Sequence, residues 1–310
     1  MSLVQVNKLS RRYGHHTAVD SISFELNKGD ILGFLGPNGA GKSTSMKMLC
    51  GVLAPSEGEI LIDGHDLLDA PAAAKRSLGY LPEQPPVYRD MTVDEYLGFC
   101  ARLHGIGKTD IDAARCDARA RCGLDDVAGR LIGNLSKGYQ QRVGIAQAII
   151  HRPAVIVLDE PTVGLDPIQI REIRELIAEL GQDHGIILST HILPEVQAVC
   201  NRVQIIDHGK LVFESSMAAL GQNERFHATF SGAVDSAHLT DLACVAEVSE
   251  DDDGFVLLLS DTPDTFISDC VGRGLKLMTL TPYRSNLEQI FIGLTLQESG
   301  GDTAIEASAA

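Results

Sequence analysis

The 310-residue sequence lacks several features that would have fixed its class at once. No apolar run approaches the ~18 residues that mark a membrane span, so no spanning segment is expected. The opening Met1-Ser2-Leu3-Val4-Gln5 has neither the basic nor the apolar region of a secretory signal, and a cytoplasmic location is the expectation. The seven cysteines are odd in number and contain no C-x-x-C, which argues against a disulfide framework and a zinc site. Buried thiols in a reducing compartment are expected instead. Basic residues are also scarce: 26 Lys and Arg face 42 Asp and Glu, a net charge of −16. That balance argues against broad binding to nucleic acid or anionic lipid. It is sharpest from Ser215 to Ala310, where 4 Lys/Arg meet 15 Asp/Glu, and this shift marks a separate acidic module.

What the sequence does contain is a phosphate-binding pattern. Gly36-Pro37-Asn38-Gly39-Ala40-Gly41-Lys42-Ser43-Thr44 follows the apolar run Ile31–Leu35 and precedes the helix-like Ser45–Leu49. Strand, glycine loop and helix in that order give G-x-x-x-x-G-K-[ST] its meaning. The glycines let the backbone wrap a polyphosphate, with N–H groups and a helix N-terminus directed at its oxygens. Lys42 then reaches the β- and γ-phosphates, and the Ser43 hydroxyl coordinates Mg²⁺.

A second signal lies at Val155-Ile156-Val157-Leu158-Asp159-Glu160, a continuous apolar strand ending in two carboxylates. The C-terminal ends of parallel strands are where ligands bind in open α/β sheets. Asp159 is placed to hold Mg²⁺, directly or through water, and Glu160 to act as general base on the attacking water. Further strands are read at 4–6, 18–26, 58–64, 78–82, 186–190 and 203–206. Residues 85–150 read as mostly helical, with Thr92 as N-cap and Glu95 at the capping-box position of a helix over 92–103. Beyond about Leu220 the order strand 225–230, helix 236–242, strands 244–248 and 255–259, helix 262–271 and strand 275–280 is ferredoxin-like. A helix over 286–296 and a disordered tail over 298–310 are expected to follow. Glu250-Asp251-Asp252-Asp253 reads as a solvated hairpin tip, not a cation site.

Leu135-Ser136-Lys137-Gly138-Tyr139-Gln140-Gln141-Arg142, taken with these two motifs, resembles the signature of ABC transporter ATPase subunits. The resemblance spans about residues 3–215. It implies an α/β fold: a P-loop NTPase core with antiparallel β and helical subdomains, occupying 1–220 with the helical part at 85–150. A small acidic α+β domain at 221–297 completes the expected organisation.

The resemblance also implies roles. Ser136 and Gly138 would contact the γ-phosphate of an ATP held by the opposite subunit. Tyr13 would stack on adenine, with His15-His16 merely exposed beside it. Gln84, in Leu81-Pro82-Glu83-Gln84, would sense Mg²⁺ and the lytic water; Asp166, in Gly164-Leu165-Asp166, would communicate across the dimer. His191 would hydrogen-bond the γ-phosphate and position Glu160. Lys137 and Tyr139 depart from the usual Leu-Ser-Gly-Gly-Gln, and Lys137 is read as added positive charge near the phosphates.

The cofactors implied are ATP and Mg²⁺. The partners implied are a second copy or a paralogous ATPase in a head-to-tail dimer, and separately encoded integral membrane permease subunits, with no nucleic acid. Asn286 to Thr295 and Leu81 to Tyr88 resemble ATPases of ABC-2-type exporters, in particular the branch named for gliding motility. Such a chain sits peripherally on the inner face of the cell membrane. Two other classes stay open: a soluble ABC ATPase that assembles a cofactor or complex, and a regulatory module that holds ATP without turnover.

Overall fold

The computed structural model describes residues 2–222, 225–232, 234–251, 253–283, 287, 290 and 291. Two compact units divide between Ser215 and Ser216, ahead of the expected limit at 220.

The first unit opens with a long hairpin, β1 (Ser2–Tyr13) and β2 (His16–Asn27). Val4 and Val6, then Ile22, Phe24 and Leu26, are buried in alternation, as a sheet with one face on the core requires. β3 (Ile31–Leu35) is buried throughout and leads through the glycine loop into α1 (Lys42–Leu49). β4 (Glu57–Ile62) and β5 (His65–Asp66) join the hairpin in an antiparallel sheet of order β2-β1-β4-β5. α2 (Pro71–Arg76) then precedes β6 (Leu78–Leu81).

Helices follow. α3 (Val93–Leu103) begins with the expected capping box: the Thr92 hydroxyl accepts from Glu95 N, and the Glu95 carboxylate accepts from Thr92 N at 2.9 Å. α4 (Ile111–Arg121) and α5 (Lys137–Ile149) complete the helical stretch. The chain then returns to the core through β7 (Val155–Asp159), α6 (Pro167–Leu180), β8 (Gly185–Thr190), α7 (Leu193–Val199), β9 (Arg202–Asp207) and β10 (Lys210–Ser216).

Six strands form the central sheet in the order β10-β9-β3-β8-β7-β6. From β9 to β6 all pairings are parallel. β3, β7 and β8 have every residue buried, which is why they read as unbroken apolar runs. The register Leu35↔Thr190, Asp159↔Ser189 and Leu81↔Leu158 brings the C-terminal ends of β3, β8, β7 and β6 to one edge. That edge carries the chemistry.

The second unit begins with α8 (Met217–Gln222). β11 (Arg225–Phe230), α9 (Ser236–Thr240), β12 (Val245–Asp251), β13 (Gly254–Leu259), α10 (Pro263–Gly272) and β14 (Leu277–Tyr283) follow. This is the β-α-β-β-α-β succession, with an antiparallel sheet of order β12-β13-β11-β14. Ala228, Leu257 and Phe266 lie in its own apolar core. The acidic run sits at the β12–β13 turn, where Asp251 pairs with Gly254. The helix expected over 286–296 and the tail over 298–310 lie largely outside the described residues.

Candidate active site

An open cavity of about 470 Å³ lies at the common strand edge, and Gly39, Gly41, Lys42, Ser43 and Thr44 form one wall. The loop is tight. A Cβ on Gly36 would come within 2.3 Å of the Ile206 carbonyl oxygen. Gly41 has φ +108°, and a Cβ there would meet the Ala18 carbonyl at 2.5 Å. Neither position admits a side chain without moving backbone. The Lys42 ammonium is buried, donating to the carbonyls of Gly36 at 2.7 Å and Pro37 at 3.0 Å. Ala40 is buried beneath the loop, and Asn38 faces the cavity.

Lys42 also lies 3.8 Å from Glu160. Burial lowers its pKa from the usual lysine range, while Glu160 and then Asp159 oppose that shift. The ammonium therefore stands between desolvation and two carboxylates, poised to exchange them for phosphate oxygens.

Asp159 ends β7 and is buried. Its Oδ1 accepts from Ser189 Oγ at 2.5 Å and from Ser43 Oγ at 3.3 Å. The convergence of a hydroxyl and a carboxylate supplies the hard oxygen donors that Mg²⁺ takes, so these residues fit the ion. Ser189 also accepts from Glu160 N at 3.1 Å, so one hydroxyl links both acidic positions. The sequence reading passed over Ser189, an ordinary β-strand serine whose role exists only through the β7–β8 pairing.

Glu160 faces the cavity with only 8% exposure and φ +49°, and His191 Nδ1 meets its carboxylate. Behind them lies Glu195 of α7, 1% exposed, which takes hydroxyl hydrogen bonds from Thr162 and from Thr190. Thr190 Oγ1 in turn accepts from Ile192 N at 3.1 Å. This buried trio fixes the segments on either side of the Glu160–His191 pair. It too lay outside the sequence reading, because no motif spaces threonines about a glutamate.

Tyr13 closes β1 at the cavity rim, with the Arg11 guanidinium 4.7 Å from its ring centroid. His16, read from sequence as merely exposed, lines the cavity as well. After β6, Gln84 and Glu83 are both exposed, and of the two Glu83 is the one that lines the cavity wall. The chain leaves β6 through Pro82 and bends at Glu83 and Gln84.

The signature residues lie elsewhere on the same unit. Ser136 caps α5, accepting from Tyr139 N. Gly138 is buried where a Cβ would meet the Gln169 side chain of α6 at 2.6 Å. The Lys137 ammonium is packed against Gly164, in the space a Cβ there would fill. Within one chain this lysine's charge is thus spent beside the 164–166 loop. Tyr139 donates to Asp126 at 3.3 Å. Asp166 caps α6, its Oδ1 accepting from Ile168 N and Gln169 N.

A glycine loop with a buried lysine, a serine hydroxyl on a strand-end aspartate and a glutamate held by histidine define a P-loop ATPase. Comparison with known proteins gives the particular family. The profile described as "ABC transporter" matches residues 19–163. An uncharacterized ABC transporter ATP-binding protein, YxlF, of Bacillus subtilis is 31% identical over 94% of this chain and 98% of its own. The ABC transporter ATP-binding protein NatA of Bacillus subtilis is 40% identical over 67% of this chain and 85% of its own. The bacitracin transport ATP-binding protein BcrA of Bacillus licheniformis is 37% identical over 74% of each. A solved ATP-binding subunit of an ABC transporter superimposes with TM-score 0.64, at 30% identity, over 70% of this chain and 91% of that one. The chain belongs to the ABC transporter ATP-binding proteins, a family of ATPases.

Proposed function

We propose that this chain is the ATP-hydrolysing subunit of an ABC-2-type exporter, working as a head-to-tail dimer beneath separately encoded membrane subunits. Mg²⁺ accompanies the nucleotide, with Ser43 and Asp159 as its protein-side oxygens. Glu160 takes the proton of the attacking water, and His191 holds that carboxylate in place. Lys42 neutralises charge on the transferred phosphoryl group. The bound ion supplies further charge neutralisation on the phosphate oxygens.

The observation that carries the dimer is the position of Ser136 and Gly138. Neither lines the cavity of its own chain, which is bounded by the glycine loop, Glu83, Glu160, Val163 and His191. A second chain presenting Ser136 at an α5 N-terminus supplies the donors that one chain does not. ATP favours that closure through contacts made only in the closed state. We read 1–220 as the ATPase domain, with 85–150 as its helical part, and 221–297 as a separate acidic domain.

The exporter reading is supported by the names of relatives, which include bacitracin transport and linearmycin resistance ATP-binding proteins. Among the described residues no helix is long and apolar enough to cross a membrane. The test is Glu160→Gln, tagged and purified from detergent-solubilised membranes of its native host. Recovery of a polytopic membrane protein supports the transporter. Recovery of soluble proteins alone, with the variant absent from membranes, overturns it in favour of an assembly ATPase.

A further inference from the structure

Glu195 is a buried carboxylate that the reaction proposed above leaves without a task. It is 1% exposed, and both of its oxygens are met by neutral hydroxyls: Thr162 donates to Oε1, and Thr190 to Oε2 at 2.8 Å. Among the described residues no cation pairs with it. A carboxylate taken out of water without a cation is costly to keep, and an apolar side chain on α7 would avoid that cost.

Its two partners belong to the segments that carry the reacting pair. Thr162 lies two residues beyond Glu160, after β7, and Thr190 ends β8 immediately before His191. β7 and β8 are parallel neighbours with Asp159 opposite Ser189, and their ends are joined a first time through Ser189. Glu160 N donates to the Ser189 carbonyl and to the Ser189 hydroxyl, each at 3.1 Å. Ser189 and Thr190 are successive residues of one strand, so their side chains leave on opposite faces. Glu195 therefore joins the two ends a second time, from the other face. Glu160 holds φ +49°, and a backbone of that kind persists only where its surroundings fix it from several sides.

We propose that Glu195 is a positioning residue for ATP hydrolysis: a buried tie, Thr162–Glu195–Thr190, holds the turn of Glu160 in register with the segment of His191. It touches neither nucleotide nor attacking water. It acts by keeping the imidazole centred on the general base, and its charge is what lets one side chain grip two hydroxyls strongly at once. This rests on the roles of Glu160 and His191 in the reaction proposed above.

The test is steady-state ATP hydrolysis by the full chain, with equilibrium binding of a fluorescent, non-hydrolysable ATP analogue beside it. Each variant is assayed well below its own melting temperature. Thr162→Val removes one hydroxyl, nearly keeps the volume and leaves β8 and His191 untouched. It should lower kcat by about ten- to a hundredfold, with KM and analogue affinity unchanged. Thr162→Ser, which returns the hydroxyl, should restore kcat. Thr190→Val should fall at least as far, and the double variant no further, because a tie cut at one end is already cut. In a His191→Ala background Thr162→Val should cost nothing more. A role in stability alone would do the reverse: melting temperatures would fall additively while kcat of the folded protein held.

An unchanged kcat in Thr162→Val, or a fall that multiplies with that of His191→Ala, overturns the proposal while leaving the roles of Glu160 and His191 standing. Near-normal turnover in His191→Ala overturns the histidine's role itself, and this proposal with it.

Discussion

His191 Nδ1 lies 2.9 Å from one carboxylate oxygen of Glu160 and 3.0 Å from the other. The imidazole is half exposed while the carboxylate is nearly buried, so histidine meets the solvent and glutamate faces the reaction. A ring centred on both oxygens restrains the carboxylate's rotation without taking it out of the cavity.

Removing that restraint should slow turnover and spare binding. We expect His191→Ala to lower kcat by roughly 10²- to 10⁴-fold, as loss of a positioned acid–base group does, with ATP affinity within a few-fold of wild type. Glu160→Gln should fall at least as far. Phosphate release and nucleotide binding, measured side by side, check this; near-normal turnover in His191→Ala would remove histidine from the mechanism.

The glycine loop should discriminate between two alanine substitutions. Gly36→Ala drives a methyl into the Ile206 carbonyl and should abolish ATP binding. Gly39 has φ +84° but open space around its Cβ position, so Gly39→Ala should cost only the conformational ~1–2 kcal/mol of a left-handed residue. Melting temperature and nucleotide titration distinguish the two. Equal loss of binding in both would mean that flexibility, not close approach, is what the loop requires.

Glu195 should matter to stability before it matters to rate. Glu195→Ala leaves the buried hydroxyls of Thr162 and Thr190 without their acceptor and should destabilise the unit by about 2–4 kcal/mol. Glu195→Gln keeps one acceptor oxygen and should cost less. Urea unfolding reads the difference, and identical midpoints for wild type and Glu195→Ala would refute it.

Acid should weaken the fold through a histidine pair. His104 and His151 stack with ring centroids 3.7 Å apart, and His151 Nε2 meets the Leu78 carbonyl at 3.0 Å. Burial, reinforced by His104, pushes the His151 pKa down to about 4. The folded chain thus keeps the ring neutral while the unfolded chain protonates it below about 6.5. Its contribution is fully present above pH 6.5 and is lost as pH falls towards 4, by up to about 3 kcal/mol. The urea midpoint should drop from pH 7.5 to 5.0, and His151→Gln should flatten that drop. A parallel decline in the variant would assign the effect to other groups.

His191, a lone histidine at a strand end, was reached only through the family resemblance, whereas Lys42, Ser43, Asp159 and Glu160 were legible in the sequence because each sits within a local pattern. Thr92 and Glu95 were legible for the same reason: a capping box is a four-residue object. Ser189 was not, since its bond to Asp159 depends on the register between two strands thirty residues apart. Glu83 and Gln84 are neighbours in a bend, and sequence spacing alone does not say which of the two lines the cavity. β1 was read as three residues and runs to Tyr13, because its second half is polar and broken by register shifts against β2. β10 escaped notice as a half-exposed strand at the sheet's edge.

Glu160 holds φ +49°, a backbone conformation that costs a residue with a side chain ~1–2 kcal/mol and glycine almost nothing. The chain therefore keeps the glutamate proposed as its general base at a position where bare stability favours another residue. A library of variants sorted by heat resistance alone would drift towards glycine or asparagine at 160. The hardiest survivors of such a screen would be proteins that had given up the reaction.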